Sequence, residues 1–377
     1  MNYRTHIVSS LSEIGQPQWD ALVAAQEEPN PFLSYAFLHA LHESGSASPE
    51  SGWQPQYIVL FDGETLAAAL PLYVKGHSYG EYVFDWAWAD AYHRNGLDYY
   101  PKLLCAIPFT PVSGPRLMAV DADARAALVD VLVATQAATE VSSTHVLFPP
   151  EDQARQLQEA GFMLRSGVQF HWLNQGYANF DEFLATLEQK KRKNIRAERR
   201  KVREAGVTLR RVRGRDALDA DWVLFNRCYR HTYQAHHSTP YLNLDFFRRL
   251  GSSMPDNILL VIASREGRDI AASLVIHNET TLFGRYWGEL EHVPCLHFEA
   301  AYYQPLEFCI EQGIRAFEGG AQGEHKMARG FLPTRTWSAH WLAHPSFADA
   351  IERFLEREKG GIDDYMDELN DRNPFKR

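Results

Sequence analysis

The sequence is short of cysteine, of long apolar runs and of positive charge, and each shortage excludes a class of protein. Its 377 residues include four cysteines, and no two of them have C-x-x-C spacing. Four thiols in so long a chain do not form a disulfide framework and favour a reducing, cytoplasmic location. No apolar run approaches 18 residues, so no membrane span is predicted. The formal net charge of −10 argues against wholesale nucleic-acid binding.

Several motifs of nucleotide-binding and hydrolytic enzymes are also missing. The sequence contains no G-x-x-x-x-G-K-[ST], no G-x-G-x-x-G and no G-x-S-x-G. These absences disfavour P-loop enzymes, dehydrogenases with a standard dinucleotide site and α/β-hydrolases. His292, Cys295, His297 and Glu299 lie close together in the sequence, but their spacing matches no common zinc pattern. We therefore predict no metal site.

What the sequence does contain is an alternation of short strands and helices, in a similar order in both halves. Asp62-Gly63 between two apolar runs is a strong hairpin signal. Residues 122–139 are predicted to form a long amphipathic helix, and 347–369 a helix near the C-terminus. The length and this repeated order predict an α/β (α+β) chain of two domains, residues 1–175 and 176–377. Each domain is expected to be a mixed twisted sheet flanked by helices.

The most informative segment is 317–331, which concentrates glycine and ionisable side chains directly after a short predicted strand. Gly319, Gly320 and Gly323 there let the backbone turn tightly and approach a ligand closely. The ionisable side chains beside them supply acids, a base and cations, namely Glu318, Glu324, His325, Lys326 and Arg329. We predict that this segment forms the floor of an active site.

A basic run, 190–203, holds nine cations and one acid on a helix predicted over 186–205. Like charges one helical turn apart repel each other, and a polyanion would relieve that repulsion. The residues assigned to phosphate or polyanion binding are Lys190, Lys191, Arg192, Lys193 and Arg196. The alternative is a solvated helix whose cations pair with acidic side chains elsewhere in the chain.

A second group of residues, between positions 85 and 93, mixes large aromatic and polar side chains with small ones. Such a mixture suits the wall of a cleft that stacks against a ligand and donates hydrogen bonds to it. The residues assigned to substrate binding here are Asp85, Trp86, Asp90, Tyr92 and His93. A structural aromatic cluster explains the same residues equally well.

These features together resemble the Fem-like branch of the GNAT acyltransferase superfamily. That branch includes the peptidyltransferases that use aminoacyl-tRNA to build peptidoglycan bridges. The stretches that carry the resemblance are Phe180-Asp181 through Asn194-Ile195-Arg196, Ile270-Ala271-Ala272, Gly284–Gly288, Leu296–Glu299 and Phe317–Phe331. A fuller similarity, which adds 30–34 and 167–172, is to a bacterial family of predicted N-acyltransferases described as peptidoglycan biosynthesis or recognition. It covers nearly the whole chain and implies two tandem GNAT-like domains.

The resemblance implies an N-acyltransferase that moves an acyl or aminoacyl group to an amine by direct attack in a ternary complex. Acyl-CoA or aminoacyl-tRNA would be the co-substrate, with no tightly bound cofactor. The acceptor would be a small molecule or a muropeptide, and tRNA would contact the basic helix. Two other functions stay open, a non-catalytic module that recognises a peptidoglycan precursor and a nucleic-acid-binding protein.

The chemistry of acyl transfer suggests roles for individual residues, and one of these roles is also implied by the resemblance. It places at Lys326 a lysine that stabilises the oxyanion of acyl transfer. The acid or base that orients or deprotonates the amine would be one of Glu299, Glu318, Glu324 and His325. The remaining residues assigned to substrate binding are Arg285, Tyr286, Trp287, Gln322 and Arg329.

The sequence departs from ordinary GNAT enzymes at the loop that binds the pyrophosphate of coenzyme A. The segment 288–296 stands where R/Q-x-x-G-x-G/A is expected, and it carries Glu289 and Glu291. Backbone amides at a helix N-terminus bind pyrophosphate, and nearby acids weaken such a site. The sequence therefore disfavours conventional binding of acetyl-CoA in the second domain.

Overall fold

The computed structural model describes residues 3–321 and 323–376, which pack as two compact units. The first unit contains the chain up to Val168 together with Arg335–Tyr365. The second contains Gln169–Thr334 together with the chain from Met366 onward. The sequence-based division into 1–175 and 176–377 did not anticipate that the chain returns to its first unit near the end. None of the helices in the described ranges is long and apolar enough to cross a membrane.

Short strands and helices alternate along the whole chain. The strands are β1 (Arg4–Val8), β2 (Trp53–Pro55), β3 (Tyr57–Asp62), β4 (Thr65–Leu70), β5 (Leu72–Lys75), β6 (Lys102–Cys105), β7 (Met118–Ala119), β8 (Ser143–Leu147), β9 (Met163–Leu173), β10 (Val207–Arg213), β11 (Ile258–Arg265), β12 (Arg268–His277), β13 (Thr281–Glu289), β14 (Ala316–Glu318) and β15 (Leu332–Leu342). The helices are α1 (Gln16–Ala24), α2 (Tyr35–Glu43), α3 (Trp86–Arg94), α4 (Ala122–Ala138), α5 (Glu151–Glu159), α6 (Phe180–Thr186), α7 (Gln189–Glu204), α8 (Asp219–Ala235), α9 (Leu244–Ser253), α10 (Leu296–Phe298), α11 (Gln304–Gln312) and α12 (Pro345–Asp371).

The first unit contains an antiparallel sheet in the order β1-β3-β4-β7 and strands in the order β15-β8-β6-β5-β2. The turn at Asp62-Gly63 joins β3 to β4 in an antiparallel hairpin, so that prediction is confirmed. Helix α4 covers β3 and β4 and buries Leu128 and Leu132 in a core with Ile58 and Leu60. Strands β6 and β8 form a parallel pair within this unit.

The second unit has the strand order β10-β11-β12-β13-β14-β9. Neighbouring strands from β10 to β13 are antiparallel, β13 and β14 are parallel, and β14 pairs with β9 in the antiparallel sense. Helix α8 packs on β12 and β13 so closely that a Cβ at Gly288 would lie 2.0 Å from the carbonyl oxygen of Cys228. The basic helix α7 buries its two apolar residues, Ile195 and Val202, and exposes most of its cations.

Two irregularities mark the second unit near β13 and the helix that follows it. Leu274 pairs with Tyr286 whereas Val275 pairs with Gly284, so Arg285 is the extra residue of a β-bulge. Between α10 and α11 the chain makes a π-helical turn at Glu299–Tyr303. Pro305 follows that turn and lacks the N–H that a regular helix would use. Both kinds of irregularity are frequent beside functional sites.

Candidate functional site

The candidate site lies in the second unit, at the point where two parallel strands diverge. Strands β13 and β14 pair only through residues 281–283 and 316–318. Beyond that point β13 continues to Glu289, while β14 ends at Glu318 and is followed by Gly319 and Gly320. Crevices outside the carboxyl ends of parallel strands are the usual ligand sites of open α/β sheets.

Lys326 reaches into this place from a short 3₁₀ helix, Glu324–Arg329. Its ammonium Nζ donates a hydrogen bond of 2.7 Å to the carbonyl oxygen of Gly320, and the residue is 2% exposed. A Cβ at Gly319 would lie 3.1 Å from Lys326 Cδ and 3.1 Å from the ring of Phe331. Glycine at position 319 therefore makes room for the aliphatic part of the lysine.

Burial lowers the pKa of Lys326 to about 8. The cause is the poor solvation of an ammonium in the protein interior, which favours the neutral amine. With that pKa the side chain is still mostly protonated at pH 7. Lys326 is thus a cation that the surroundings solvate weakly, which strengthens its interaction with any negative charge that develops nearby.

Glu318, one of the predicted acids or bases, faces a histidine of the neighbouring strand. His171 of β9 is the register partner of Glu318, and its Nε2 lies 4.0 Å from Glu318 Oε2. Burial, and then the positive charge of Lys326, lower the pKa of His171 to about 4. The imidazole is therefore neutral at pH 7.

His325 lies on the same 3₁₀ helix as Lys326 and contacts an aromatic group. Its Nε2 is 3.3 Å from the hydroxyl of Tyr302, and its ring centroid lies 5.9 Å from that of Phe298. Burial and the cations of Arg329 and Lys326 lower the pKa of His325. Tyr302 belongs to the π-helical turn, so this irregular turn brings a hydroxyl to the predicted base.

Arg329, a predicted substrate-binding residue, is buried and held by the protein itself. Its guanidinium lies 3.5 Å from the ring centroid of Phe298 and donates hydrogen bonds of 3.0 and 2.9 Å to the carboxylate of Glu198 on α7. It also donates a bond of 2.7 Å to the carbonyl oxygen of His325. These bonds fix the 3₁₀ helix against α7.

Two other predicted acids or bases take part in ion pairs. Glu299 accepts hydrogen bonds of 3.0 and 2.9 Å from Arg199 of α7, and a further bond of 2.8 Å from Gln304. Glu324 lies 3.0 Å from the guanidinium of Arg372. Glu299 is buried, and its ion pair joins α7 to the π-helical turn.

The half-buried residues Arg285, Tyr286 and Trp287 follow the point where β13 leaves β14. The guanidinium of Arg285 lies 4.9 Å from the ring centroid of Tyr286 and donates a bond of 3.2 Å to its hydroxyl. The ring of Trp287 lies 5.4 Å from that of His297, which neighbours the aromatic group around His325. Gln322, the remaining predicted residue of this set, lies outside the described residues.

The predicted cleft wall between positions 85 and 93 is a helix of the first unit, and its side chains do not share one surface. Asp85 and Tyr92 are buried, whereas Trp86, Asp90 and His93 are exposed. Asp90 forms an ion pair with Arg94, which is one helical turn away and also exposed. Substrate binding by this group stays a prediction.

Asp85 belongs to a buried ionisable network in the first unit. It accepts a hydrogen bond from Lys102 and a bond of 2.7 Å from the hydroxyl of Tyr99. Lys102 also donates a bond of 2.8 Å to Glu81, and its side chain is fully buried. The positive charge of Lys102 holds the pKa of Asp85 low against the opposing effect of burial, whereas burial raises the pKa of Glu81 to about 7.

The first unit also has a parallel pair, β6 and β8, but its carboxyl end is filled by the unit's own chain. The residues after β6 and β8 are buried there, and the amide of Gly114 donates to the carbonyl oxygen of Phe148. Arg116 is fully buried and donates bonds of 2.9 and 2.7 Å to the carbonyl oxygens of Gly114 and Val112. The parallel pair with a buried lysine and glycines beyond its carboxyl end therefore belongs to the second unit.

The cations of α7 divide into two sets. Arg196 forms an ion pair of 2.9 Å with Asp181, and Arg192 donates bonds of 3.4 and 3.2 Å to the carbonyl oxygens of residues 185 and 187. The second set has no hydrogen bond or ion pair to any residue that the structure describes, and consists of Lys190, Lys191, Lys193, Lys201 and Arg203. We call this second set the free basic face of α7.

Comparison with known proteins gives the chain a family. The FemAB-like model, described as peptidoglycan biosynthesis/recognition, matches residues 10–377. The chain belongs to the FemAB-like family. The resemblance stated from the sequence is therefore confirmed. No curated protein matches this FemAB-like chain.

Solved structures show the fold of this FemAB-like protein. FemX has a TM-score of 0.57 at 11% identity, with 93% of this chain and 100% of that chain covered. L-PGS from Bacillus licheniformis has a TM-score of 0.52 at 12% identity, with 87% and 98% covered. The predicted fold class, α/β with two tandem GNAT-like domains, is confirmed. Family and fold together support an aminoacyl- or acyltransferase-type or peptidoglycan-related function.

Two residues near Lys326 were not assigned roles from the sequence. His171 lies in a strand more than 150 positions from Lys326, and only the pairing of β9 with β14 brings it to Glu318. Tyr302 reads as an ordinary helical residue until the π-helical turn is known. A proline shortly after it, at position 305, is the one sequence signal of that irregularity.

Proposed function

We propose that this FemAB-like protein is an acyltransferase that moves an acyl or aminoacyl group from a phosphate-bearing donor to an amine. The observation that carries the proposal is Lys326, a buried cation at the carboxyl end of the parallel pair β13 and β14. Acyl transfer to an amine develops negative charge on the carbonyl oxygen of the donor. Lys326 would stabilise that charge, and the glycines beside it allow a substrate to approach closely.

Transfer would occur directly between two bound substrates. The cysteines Cys105, Cys228 and Cys309 are buried, and burial raises the pKa of each thiol. A buried thiol with a raised pKa is a poor nucleophile. Burial thus disfavours these three thiols as nucleophiles, and in our proposal the free amine of the acceptor attacks the donor carbonyl without a covalent acyl-enzyme.

The free basic face of α7 supports a donor that carries phosphate groups. Its five cations have no internal partner among the described residues and stand out against a net charge of −10. The loop ahead of α10 is less suited to a pyrophosphate, because it carries Glu289 and Glu291, and acids near a helix N-terminus oppose the binding of an anion. We therefore place the donor's phosphates at α7, as in an aminoacyl-tRNA, with acyl-CoA as the alternative donor. The family description supports a peptidoglycan precursor as the acceptor.

The decisive variant is Lys326→Met, which keeps the aliphatic chain and removes the charge. We expect kcat to fall about 100- to 1000-fold, the usual cost of losing one oxyanion donor. Single-turnover amide formation would be measured with aminoacyl-tRNA and with acyl-CoA as donors and a muropeptide precursor as acceptor. Lys359→Met, at an exposed position on α12, is the matched control and should leave the rate unchanged.

Two results would contradict the proposal. A Lys326→Met protein with a near-normal rate would remove the lysine from the chemistry. A wild-type protein that binds the muropeptide precursor but forms no amide with either donor would instead favour the non-catalytic binding module.

A further inference from the structure

We propose that Glu198 of α7 is a positioning residue for acyl transfer, which keeps Lys326 in its buried position by binding Arg329. This inference rests on the acyltransferase function proposed above and extends it by a residue that acts through another side chain. It connects the basic helix, which would bind the donor's phosphates, to the lysine that would stabilise the oxyanion.

Glu198 stands out in the charge pattern of α7. It is the single acid among the nine cations of the run 190–203. An acid there weakens the attraction of the helix for a polyanion, so polyanion binding alone does not explain it. Glu198 follows Ile195 by three residues and precedes Val202 by four, and these two are the buried residues of α7. Glu198 therefore belongs to the face of the helix that packs on the protein.

The carboxylate of Glu198 is held by two buried side chains. The guanidinium of Arg329 donates bonds of 3.0 and 2.9 Å to its two oxygens, and the hydroxyl of Tyr303 donates a further bond. The side chain of Arg329 is 6% exposed, and Tyr303 is fully buried. An ion pair removed from water is weak evidence for stability, because desolvation offsets the attraction. The pair is better explained by the position that it fixes.

Arg329 transmits this contact to Lys326. Both residues lie on the 3₁₀ helix Glu324–Arg329. The guanidinium of Arg329 also donates a bond of 2.7 Å to the carbonyl oxygen of His325, the residue directly before Lys326. A 3₁₀ helix this short has few and poorly aligned internal hydrogen bonds. Its position therefore depends on contacts with its surroundings, and the ion pair with Glu198 is one that reaches another helix.

The residue after Glu198 holds α7 in place independently of this pair. Arg199 forms ion pairs with Glu299 and Glu307, which lie on the π-helical turn and on α11. A substitution of Glu198 should therefore release the 3₁₀ helix without releasing α7. The effect on Lys326 can then be separated from an effect on polyanion binding.

The kinetic test compares wild type with Glu198→Gln, which keeps the size of the side chain and removes its charge. We expect kcat for amide formation to fall about 100-fold, the cost of a misplacement of ~1 Å, with an unchanged KM for the donor. The affinity for tRNA should not fall, because the variant removes a negative charge from α7. The matched control is Glu204→Gln, which removes an exposed acid from the same helix and should leave kcat unchanged.

The pKa of Lys326 gives a second measurement, which needs no turnover. It would be followed by NMR of the lysine side chains, with Lys326→Met to assign the signal. Burial lowers this pKa to about 8 in the wild type. In Glu198→Gln it should rise towards 10.5, because a displaced ammonium is better solvated. Loss of the negative charge alone would lower the pKa further, so the direction of the change distinguishes movement from electrostatics.

Glu198→Asp tests the same contact while keeping the charge. A buried arginine without its partner is strongly destabilising, so this variant decides the question if Glu198→Gln does not fold. Its carboxylate is one methylene further from Arg329. We expect a loss of about tenfold in kcat and a rise in the pKa of Lys326 in the same direction as in Glu198→Gln.

The outcomes separate the two proposals. A wild-type kcat in the folded Glu198 variants would overturn the positioning role. A lower kcat with an unchanged or lowered pKa of Lys326 would overturn it as well. A raised pKa of Lys326 in these variants, together with no amide formation by the wild type, would support the positioning of Lys326 while contradicting the acyltransferase function.

Discussion

Lys326 carries its positive charge where the protein solvates it poorly, and this has a cost in stability. A pKa lowered from 10.5 to about 8 corresponds to about 3 kcal/mol of destabilisation of the charged, folded form. A residue selected for stability alone would be apolar here. Destabilising groups of this kind are typical of functional sites, where activity and stability oppose each other.

The same variant that removes activity should therefore stabilise the protein. Lys326→Met removes the buried charge and loses one hydrogen bond to Gly320, which contributes about 1 kcal/mol. We expect the free energy of unfolding to rise by about 2 kcal/mol at pH 7, as measured by urea unfolding. Lys359→Met should change it by less than about 0.5 kcal/mol.

The pH dependence of the free energy of unfolding tests independently whether the charged form of Lys326 destabilises the fold. Between pH 8 and 10.5 the unfolded chain still binds a proton at Lys326 that the folded chain has released. The free energy of unfolding contributed by this residue therefore rises with pH in that window. The advantage of Lys326→Met should shrink over the same range, and an advantage that stays constant would mean that the lysine is not buried as a cation.

At the scale of elements, the site depends on how closely α8 approaches β13. Gly288 lies in β13 directly after the three residues Arg285, Tyr286 and Trp287. The hydroxyl of Thr232 on α8 donates a bond of 3.0 Å to the carbonyl oxygen of Trp287, which ties the helix to the strand. The glycine is needed here for backbone contact, since its φ is not in the left-handed region.

A side chain at position 288 should separate these two elements. Gly288→Ala places a Cβ 2.0 Å from the carbonyl oxygen of Cys228, and neither backbone can yield cheaply. We expect a loss of about 3 kcal/mol or more in the free energy of unfolding. Gly360→Ala, in the middle of α12 with nothing near its Cβ, should instead stabilise the protein by about 0.5–1 kcal/mol. Equal effects of both substitutions would contradict the close contact.

The end of the chain also bears on the site. Glu324, at the start of the 3₁₀ helix with Lys326, pairs with Arg372. Just beyond Arg372, the carbonyl oxygen of Pro374 accepts a hydrogen bond from the amide of Glu188. Phe375 forms an isolated antiparallel β-bridge with Leu187, which lies ahead of α7. The last described residues thus connect the start of the basic helix to the turn that carries the lysine.

For the whole molecule, the distribution of charge matters more than its sum. The chain is acidic overall, yet α7 presents five cations without internal partners among the residues described. Arg199, by contrast, forms ion pairs with Glu299 and Glu307, and Arg196 forms one with Asp181. Internal pairing accounts for one set of these cations, whereas polyanion binding by the other set, which faces solvent, stays a prediction.

Charge reversal on the free basic face should weaken polyanion binding. The variant Lys190→Glu, Lys193→Glu, Lys201→Glu replaces three positive charges on α7 by three negative ones, and we expect its affinity for tRNA to fall at least tenfold at low salt. Fluorescence anisotropy over a salt series should show a reduced salt slope. The control Arg353→Glu, Arg357→Glu changes exposed cations of α12 in the first unit. Equal losses in both variants would mean that the attraction is not specific to α7.

The sequence determined much of this protein, because turns, amphipathic helices and glycine-rich segments depend on neighbouring residues. The local sequence was enough to predict the hairpin at Asp62-Gly63, the helix at 122–138, the basic helix and the glycine-rich segment with Lys326. The family could also be recognised from the sequence, since each of its motifs is a contiguous stretch of residues. The helix at 86–94 was not, because its aromatic residues follow no simple period.

Tertiary structure alone decided which charges face one another. Glu299 and Glu318 look equivalent in the sequence, but one is held by Arg199 from α7 and the other lies beside His171 on a strand far away in the chain. A pKa is set by burial and by charges within a few ångströms. Neither can be predicted from the residues that are adjacent in the sequence. The sequence could therefore place the lysine and its glycines, whereas the partner across the sheet and the pKa values of both required the fold.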